Sequence, residues 1–443
     1  MKKFDKVREK PLGLTELIAI ALGGMIGGGI FAILGISVEA IGNAAPIAIL
    51  IGGLLAFFAA YSYVKLAVYY KDEGATYSFY KRTFSNSHFS ASFIGWFIVF
   101  GYISTLALYA FTFASYLTSV LPVTNHYFVL KIIAGVVLLF FTIINLVSVK
   151  GMGRLEDFMV YAKIIILLVI SVLLADKGNM HNILPIFNGG FDFKTIIIIS
   201  SITFVAYEGF QLAIHATEEV KNPDKNIPKA IYSAIGIATM FYVFLATAAL
   251  CAIPKASIIA NKEYALAAGA GEVFGHVGLI TVIFGALLAT SSAINGTIFG
   301  ASRLMAVIAD DGYFPKILST RIKKHIPKYS IIAMFAFAYL LVLIGNLESI
   351  LKFGSITFLL VSFLMAYTNF RICDKTKSSG PMSLLAMFTL AIASFSIIYY
   401  EFTTNIRNMF FIFFIYFLLI LGSWIYSKIR ARKKMLDLLV EKL

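Results

Sequence analysis

Gly23-Gly24-Met25-Ile26-Gly27-Gly28-Gly29-Ile30-Phe31 is the stretch on which the reading of this chain turns. Five of the seven residues from 23 to 29 are glycine, and they sit inside an apolar run at 14–40. Each glycine costs about 1 kcal/mol relative to alanine in a helix interior. The run is long enough to cross a bilayer, which takes about 20 apolar residues, yet its middle is poor helix. Unwound backbone at membrane depth is tolerated only where it lines a cavity or is buried in protein. A break here sets the N–H groups of Gly27, Gly28 and Gly29 at the start of a second half-helix. That end carries partial positive charge and suits a carboxylate. The carbonyls ending the first half-helix, Gly23 to Met25, suit an ammonium or a small cation. The competing reading is close helix packing, because Gly23/Gly27 and Gly24/Gly28 both have the GxxxG spacing.

The rest of the chain places this stretch in a membrane. Of 443 residues, 60% are hydrophobic and 14% charged, and the mean hydropathy is +0.87. Soluble domains are about 45–50% apolar and about a quarter charged, so the balance excludes a soluble enzyme, a disordered chain and a disulfide scaffold. Apolar runs occur at 14–40, 45–70, 91–121, 128–149, 155–175, 195–218, 228–253, 277–307, 329–346, 350–370, 383–401 and 407–429. The twelve runs predict an all-α polytopic membrane protein. Two loop stretches, 72–86 and 255–274, have the pattern of amphipathic helices lying along the membrane surface. The basic start, MKKFDKVREK, reads as a retained tail rather than a signal peptide.

Charge tests the topology. The net charge of +14 alternates by loop: 28 Lys and Arg fall in one set of segments and seven, including Lys352, in the other. Such a bias predicts an even number of spans with both termini cytoplasmic. A nucleic-acid surface would not alternate, so no nucleic-acid partner is expected. Cys251 and Cys373 have no paired or metal-ligand spacing. His215 has no partner at metal spacing, and neither cofactor nor metal is expected.

Three further positions carry chemistry. Glu208, in Phe204-Val205-Ala206-Tyr207-Glu208-Gly209-Phe210-Gln211, puts a carboxylate in the middle of the sixth run. Such a group is functional by default: it meets a cationic group, carries a proton, or forms an internal ion pair with Lys163. Lys163 lies eight residues into the fifth run, about 12 Å along a helix, too deep to reach the headgroups. Burial lets a lysine switch between charged and neutral forms, which makes Lys163 a candidate proton carrier. Lys65 lies near the end of its run, where snorkelling explains it. In the eighth run, Thr290-Ser291-Ser292-Ala293-Ile294-Asn295-Gly296-Thr297 offers hydroxyls for a cation, a lysine amine or interhelical bonding. Glu218 and Glu219 read as holding the turn after the sixth run, and Pro228 as lying in the first turn of the seventh helix. The first and sixth runs, five apart, are both interrupted, which points to an inverted-repeat transporter.

With GGMIGGGIF at 23–31, EGATYSFYKRTF at 73–84 and AYEGF followed by EEVKNPDKNIPKAI at 206–231, the chain resembles the amino acid–polyamine–organocation superfamily over essentially its whole length. The resemblance implies a LeuT-like five-plus-five inverted repeat, 14–175 and 195–370, with two extra C-terminal helices at 383–429. It implies alternating-access transport of amino acids or amines across the cell membrane. Nothing in the sequence itself demands a partner subunit. It implies substrate carboxylate contacts at the backbone of Gly27, Gly28 and Gly29. Substrate amine contacts are implied at the carbonyls of Met25, Val205 and Glu208. The fifth run, GRLEDFMVYAK at 153–163, is similar to a prokaryotic subgroup in which this lysine stands in for sodium. There its amine meets a first-span carbonyl, here Gly23, and an eighth-span hydroxyl, here Ser291 or Ser292.

Three residues depart from the family pattern. Val205 stands where many relatives carry a large aromatic, Glu208 replaces a small or apolar residue, and Lys65 replaces a carboxylate. The expectation is a proton-coupled symporter with Lys163 as the switch and Glu208 favouring cationic or polar substrates. The rivals are an amino acid or polyamine exchanger with Lys163 as a fixed charge, and a transporter-like sensor. No nucleophile–base pair or metal cluster supports an enzyme.

Overall fold

A computed structural model describes residues 12–72, 74–147, 149–187, 192–322 and 326–440; side chains at 149–157, 218 and 433–440 are not described. The motif GRLED at 153–157 and Glu218 therefore lie outside the described side chains. The first apolar run forms two helices, α1 (Leu14–Met25) and α2 (Gly28–Ile41), and a short turn leads to α3 (Ala45–Tyr70). After the loop helix α4 (Ala75–Thr83) come α5 (His88–Thr118), α6 (His126–Val147) and α7 (Val149–Lys177). The sixth run opens with α8 (Phe193–Thr203) and then tightens into 3₁₀ turns at Phe204–Tyr207 and Phe210–Glu219. Next are α9 (Pro223–Ala252), the short α10 (Lys255–Ala260) and α11 (Ala265–Asp310). A two-residue hairpin, β1 (Arg321–Ile322) and β2 (Ile326–Pro327), precedes α12 (Lys328–Ile344) and α13 (Leu347–Arg371). The chain ends with α14 (Cys373–Thr376), α15 (Gly380–Thr404) and α16 (Ile406–Val440).

Among the described residues, ten helical stretches are long and apolar enough to cross a membrane. One of them, Gly28–Tyr70, covers two helices, and Leu14–Met25 and Lys328–Ile344 are shorter apolar helices. Every apolar run read from the sequence falls on one of these. The outer faces of α6, α7 and α16 expose large apolar side chains such as Val136, Phe140, Phe158, Ile165, Phe410 and Phe417. A face of this kind has lipid, not water, as its solvent. The core lies between α1, α3, α5, α9, α11 and α13.

Local chemistry sets the element ends. The Ser87 hydroxyl caps α5 by accepting from Ser90 N at 3.2 Å, and Asn346 Oδ1 caps α13 by accepting from Ser349 N at 2.8 Å. Gly275, at φ +65°, bends α11 so that its first turns form a separate arm before the apolar span. Both loop stretches predicted as amphipathic helices are helical, in α4 and in α10 with that arm.

Two expectations change. Helix α9 begins at Pro223, after Asn222 in the left-handed region, so Pro228 lies inside the helix rather than in its first turn. Pro223, rather than Pro228, takes the early position where a missing N–H costs nothing. Lys352, counted as an outer loop residue, is 2% exposed in the second turn of α13 and pairs with Glu348 and with the buried Glu401 of α15. Hydropathy misses it because the ion pair with α15 is formed only when the helices pack.

Candidate functional site

The two broken runs meet at their breaks. Helix α1 ends at Met25, Ile26 and Gly27 are non-helical, and α2 restarts at Gly28. In the sixth run, Glu208 is extended and Gly209 has φ +120°, a conformation side chains disfavour. A Cβ on Gly209 would lie 2.4 Å from the Gly24 carbonyl carbon, and one on Gly24 would lie 2.9 Å from the Gly209 oxygen. Glycine at both positions is what lets the backbones cross. The Tyr109 ring of α5 lies against Gly27 and Gly28, 3.2 and 3.0 Å from where their Cβ atoms would stand. The glycine cluster therefore serves close approach as well as unwinding.

The N–H groups divide between two uses. Gly27 N donates to the Met25 carbonyl at 2.9 Å. Gly28 and Gly29 are the first residues of α2, where backbone donors have no intrahelical acceptor. The Met25 carbonyl also accepts from the Tyr242 hydroxyl of α9 at 2.7 Å. A carbonyl has two lone pairs, so Met25 is already doubly engaged in this conformation. The Val205 carbonyl accepts from Glu208 N at 3.2 Å and keeps one lone pair among the described residues. The same Tyr242 hydroxyl lies 3.2 Å from the Ala206 carbonyl and so joins the two breaks. Nothing in the sequence marked Tyr242 among 23 tyrosines, because its role depends on a helix crossing.

Glu208 is 3% exposed. Its Oε2 accepts from Gln211 Nε2 at 2.8 Å, while Oε1 is buried with no hydrogen-bond partner among the described residues. Tyr63, Tyr102 and Tyr109 are near enough to interact with its charge, and the Tyr102 hydroxyl donates to Gln211 Oε1 at 3.2 Å. The ion pair considered between Glu208 and Lys163 does not form. Gln211, one helical turn on from Glu208, was legible from its spacing but not singled out.

Lys163 is fully buried. Its Nζ donates to the Gly23 carbonyl at 2.7 Å and to Ser292 Oγ at 3.1 Å, so one amine touches α7, α1 and α11. Of the two candidate hydroxyls, Ser292 is the one at this distance; Ser291 is half-buried on a neighbouring face of α11. Asn295, one turn further, accepts from Asn145 of α6 at 3.1 Å. Lys65 donates to the Lys377 carbonyl at 3.0 Å and holds the turn before α15, a role the sequence did not indicate.

Residues 12–436 match the amino acid permease family. The chain belongs to that family. Family membership makes it a multi-pass membrane transporter rather than an enzyme. Among curated relatives, it is 29% identical over 395 residues to the inner membrane transport protein YbaT of Escherichia coli, covering 88% of this chain and 90% of that one. It is 27% identical over 406 residues to an uncharacterised protein of Methanocaldococcus jannaschii, covering 90% and 91%. It is 26% identical over 361 residues to the branched-chain amino acid permease BcaP of Bacillus subtilis, covering 77% and 76%. In this permease-family chain, two broken helices cross beside a buried lysine and a buried glutamate.

Proposed function

We propose that this permease-family chain is a secondary active transporter that moves amino acids across the cell membrane by alternating access. Residues 14–175 and 195–370 are the two inverted repeats, 383–429 are accessory helices, and both termini face the cytoplasm. Uptake is coupled to protons through Lys163, and Glu208 favours cationic or polar amino acids. The observation that carries the coupling is the Lys163 amine, bonded at once to the Gly23 carbonyl and to Ser292. A charged amine strengthens both bonds and holds α1 against α11. The neutral amine can donate to fewer acceptors and with less strength, which frees α1 to move.

The same geometry supports a set of substrate contacts. The Gly28 and Gly29 N–H groups at the start of α2 face a carboxylate. The Val205 carbonyl, with one acceptor position left among the described residues, and the Glu208 oxygen that has no partner among them serve a cationic group. An ionised carboxylate left unpaired in a buried site is costly, so a substrate cation would be bound more tightly than a neutral side chain.

Uptake of labelled amino acids and polyamines into proteoliposomes tests both parts, with and without an inward proton gradient, on wild type and Lys163→Ala. Gradient-driven accumulation lost in the variant supports the coupling. Uptake that requires only preloaded substrate and ignores the gradient makes the protein an exchanger and Lys163 a fixed charge.

A further inference from the structure

A cavity of about 290 Å³ opens at the end of the bundle where α4 meets α5, outside the crossing described above. Its lining is cationic: Lys81 and Arg82 from the last turn of α4, and Arg430 from α16, against one carboxylate among the described lining residues, Asp311. Ser85, Ser87 and His88 complete the polar wall. Asp311 is shared between Lys81 Nζ and the Tyr77 hydroxyl, each at 2.6 Å, and Arg82 pairs with Asp72. Burial and then the Asp311 carboxylate hold the Tyr77 phenol far above its ordinary range, so it acts as donor. Arg430 makes no ion pair among the described residues. Its stem crosses Gly312, where φ is +86° and a Cβ would stand 3.1 Å from Arg430 Cδ.

The walls are fixed before any ligand arrives. His88 Nδ1 and the Tyr313 hydroxyl are 2.9 Å apart, and Trp96 Nε1 donates to the Tyr313 carbonyl at 2.9 Å. The cavity also stands at the end of a lipid-facing surface: the exposed Phe417, Leu421, Trp424, Ile425 and Ile429 of α16 lead down to Arg430. A cationic cavity where an apolar face ends suits an anionic headgroup.

We propose that this cavity binds a phosphate group, supplied by an anionic phospholipid headgroup, through Arg430, Arg82 and Lys81. Bound there, the phosphate braces α16 against α4 and against the end of α11. Arginine suits the role because its planar guanidinium can hold two phosphate oxygens at once.

The test uses the full chain in phosphatidylcholine nanodiscs with and without phosphatidylglycerol. Lipid retention is read by native mass spectrometry and stability by thermal unfolding. Phosphatidylglycerol should be retained and should raise the wild-type Tm. Arg430→Gln should weaken retention about tenfold, the loss of one charge-assisted contact, and Arg82→Gln should weaken it as well. Arg432→Gln, exposed and outside the cavity, should behave as wild type. Inorganic phosphate, added to phosphatidylcholine discs, separates the sources. If it raises the Tm of wild type but not of Arg430→Gln, and phosphatidylglycerol does not, the ligand is a soluble phosphate and the lipid source is overturned. Equal retention in wild type, Arg430→Gln and Arg82→Gln overturns the site. So does a loss in Arg432→Gln as large as that in Arg430→Gln.

Discussion

The Lys163 amine lies 2.7 Å from the Gly23 carbonyl, the last turn of a helix that ends two residues later. A side chain deep in one span thus holds the backbone of another just before it unwinds. Ser292 Oγ is its second partner at 3.1 Å. Lys163→Ala should abolish accumulation against a gradient while leaving exchange measurable in preloaded proteoliposomes. Ser292→Ala should weaken coupling less, because one bond to a charged amine contributes about 1.5–3 kcal/mol and the Gly23 contact remains.

Glu208→Gln should keep the bond network with Gln211 in shape while removing the charge. Binding of cationic amino acids should fall about tenfold or more, the worth of one charge-assisted bond, and binding of neutral ones should change little. Competition assays across a panel of side chains read this directly. Equal losses for both classes would remove Glu208 from specificity.

Gly209→Ala introduces a Cβ where the Gly24 backbone already stands, at a φ that side chains disfavour. The combined cost of overpacking and backbone strain is about 2–4 kcal/mol. The variant should show a lower Tm and no transport. Gly236→Ala, where a Cβ meets nothing within 4 Å, should retain both.

Tyr242→Phe removes the hydroxyl that joins the Met25 and Ala206 carbonyls. The loss should be about 0.5–1.5 kcal/mol of stability, since the Met25 carbonyl loses the hydroxyl and keeps the Gly27 N–H. The transport rate should change more than substrate affinity, because the bond ties the two breaks together. Stopped-flow uptake alongside equilibrium binding separates the two effects.

Glu401→Ala leaves Lys352 buried beside only the partly exposed Glu348. Removing one partner of a buried pair costs about 3–5 kcal/mol. Replacing both, as Lys352→Met with Glu401→Leu, should recover most of the loss in thermal unfolding, because no unpaired charge is then left in the interior.

The twelve apolar runs, the two interruptions and the depth of Lys163 and Glu208 were legible because each rests on local sequence. Helix length, glycine content and position along a span need no partner to be read. The same reasoning placed Lys352 in a loop and Pro228 in a first turn, since a charge looks like a loop residue until its counter-charge is known. It also left Glu208 and Lys163 as possible partners. The folded chain gives each its own neighbours, Gln211 for one, Gly23 and Ser292 for the other.

By itself the sequence determined that this protein lives in lipid, that its spans are helices, and that the first and sixth are broken. The bilayer leaves no other way to satisfy backbone groups, and five glycines in seven residues cannot hold a regular helix against that demand. Only the tertiary structure decided which carbonyl the lysine holds, that Tyr242 joins the breaks, that one Glu208 oxygen has no partner among the described residues, and that Arg430 meets Lys81 and Arg82 around a common cavity. These are contacts between residues tens to hundreds of positions apart. They are fixed by how helices cross, which no local pattern records.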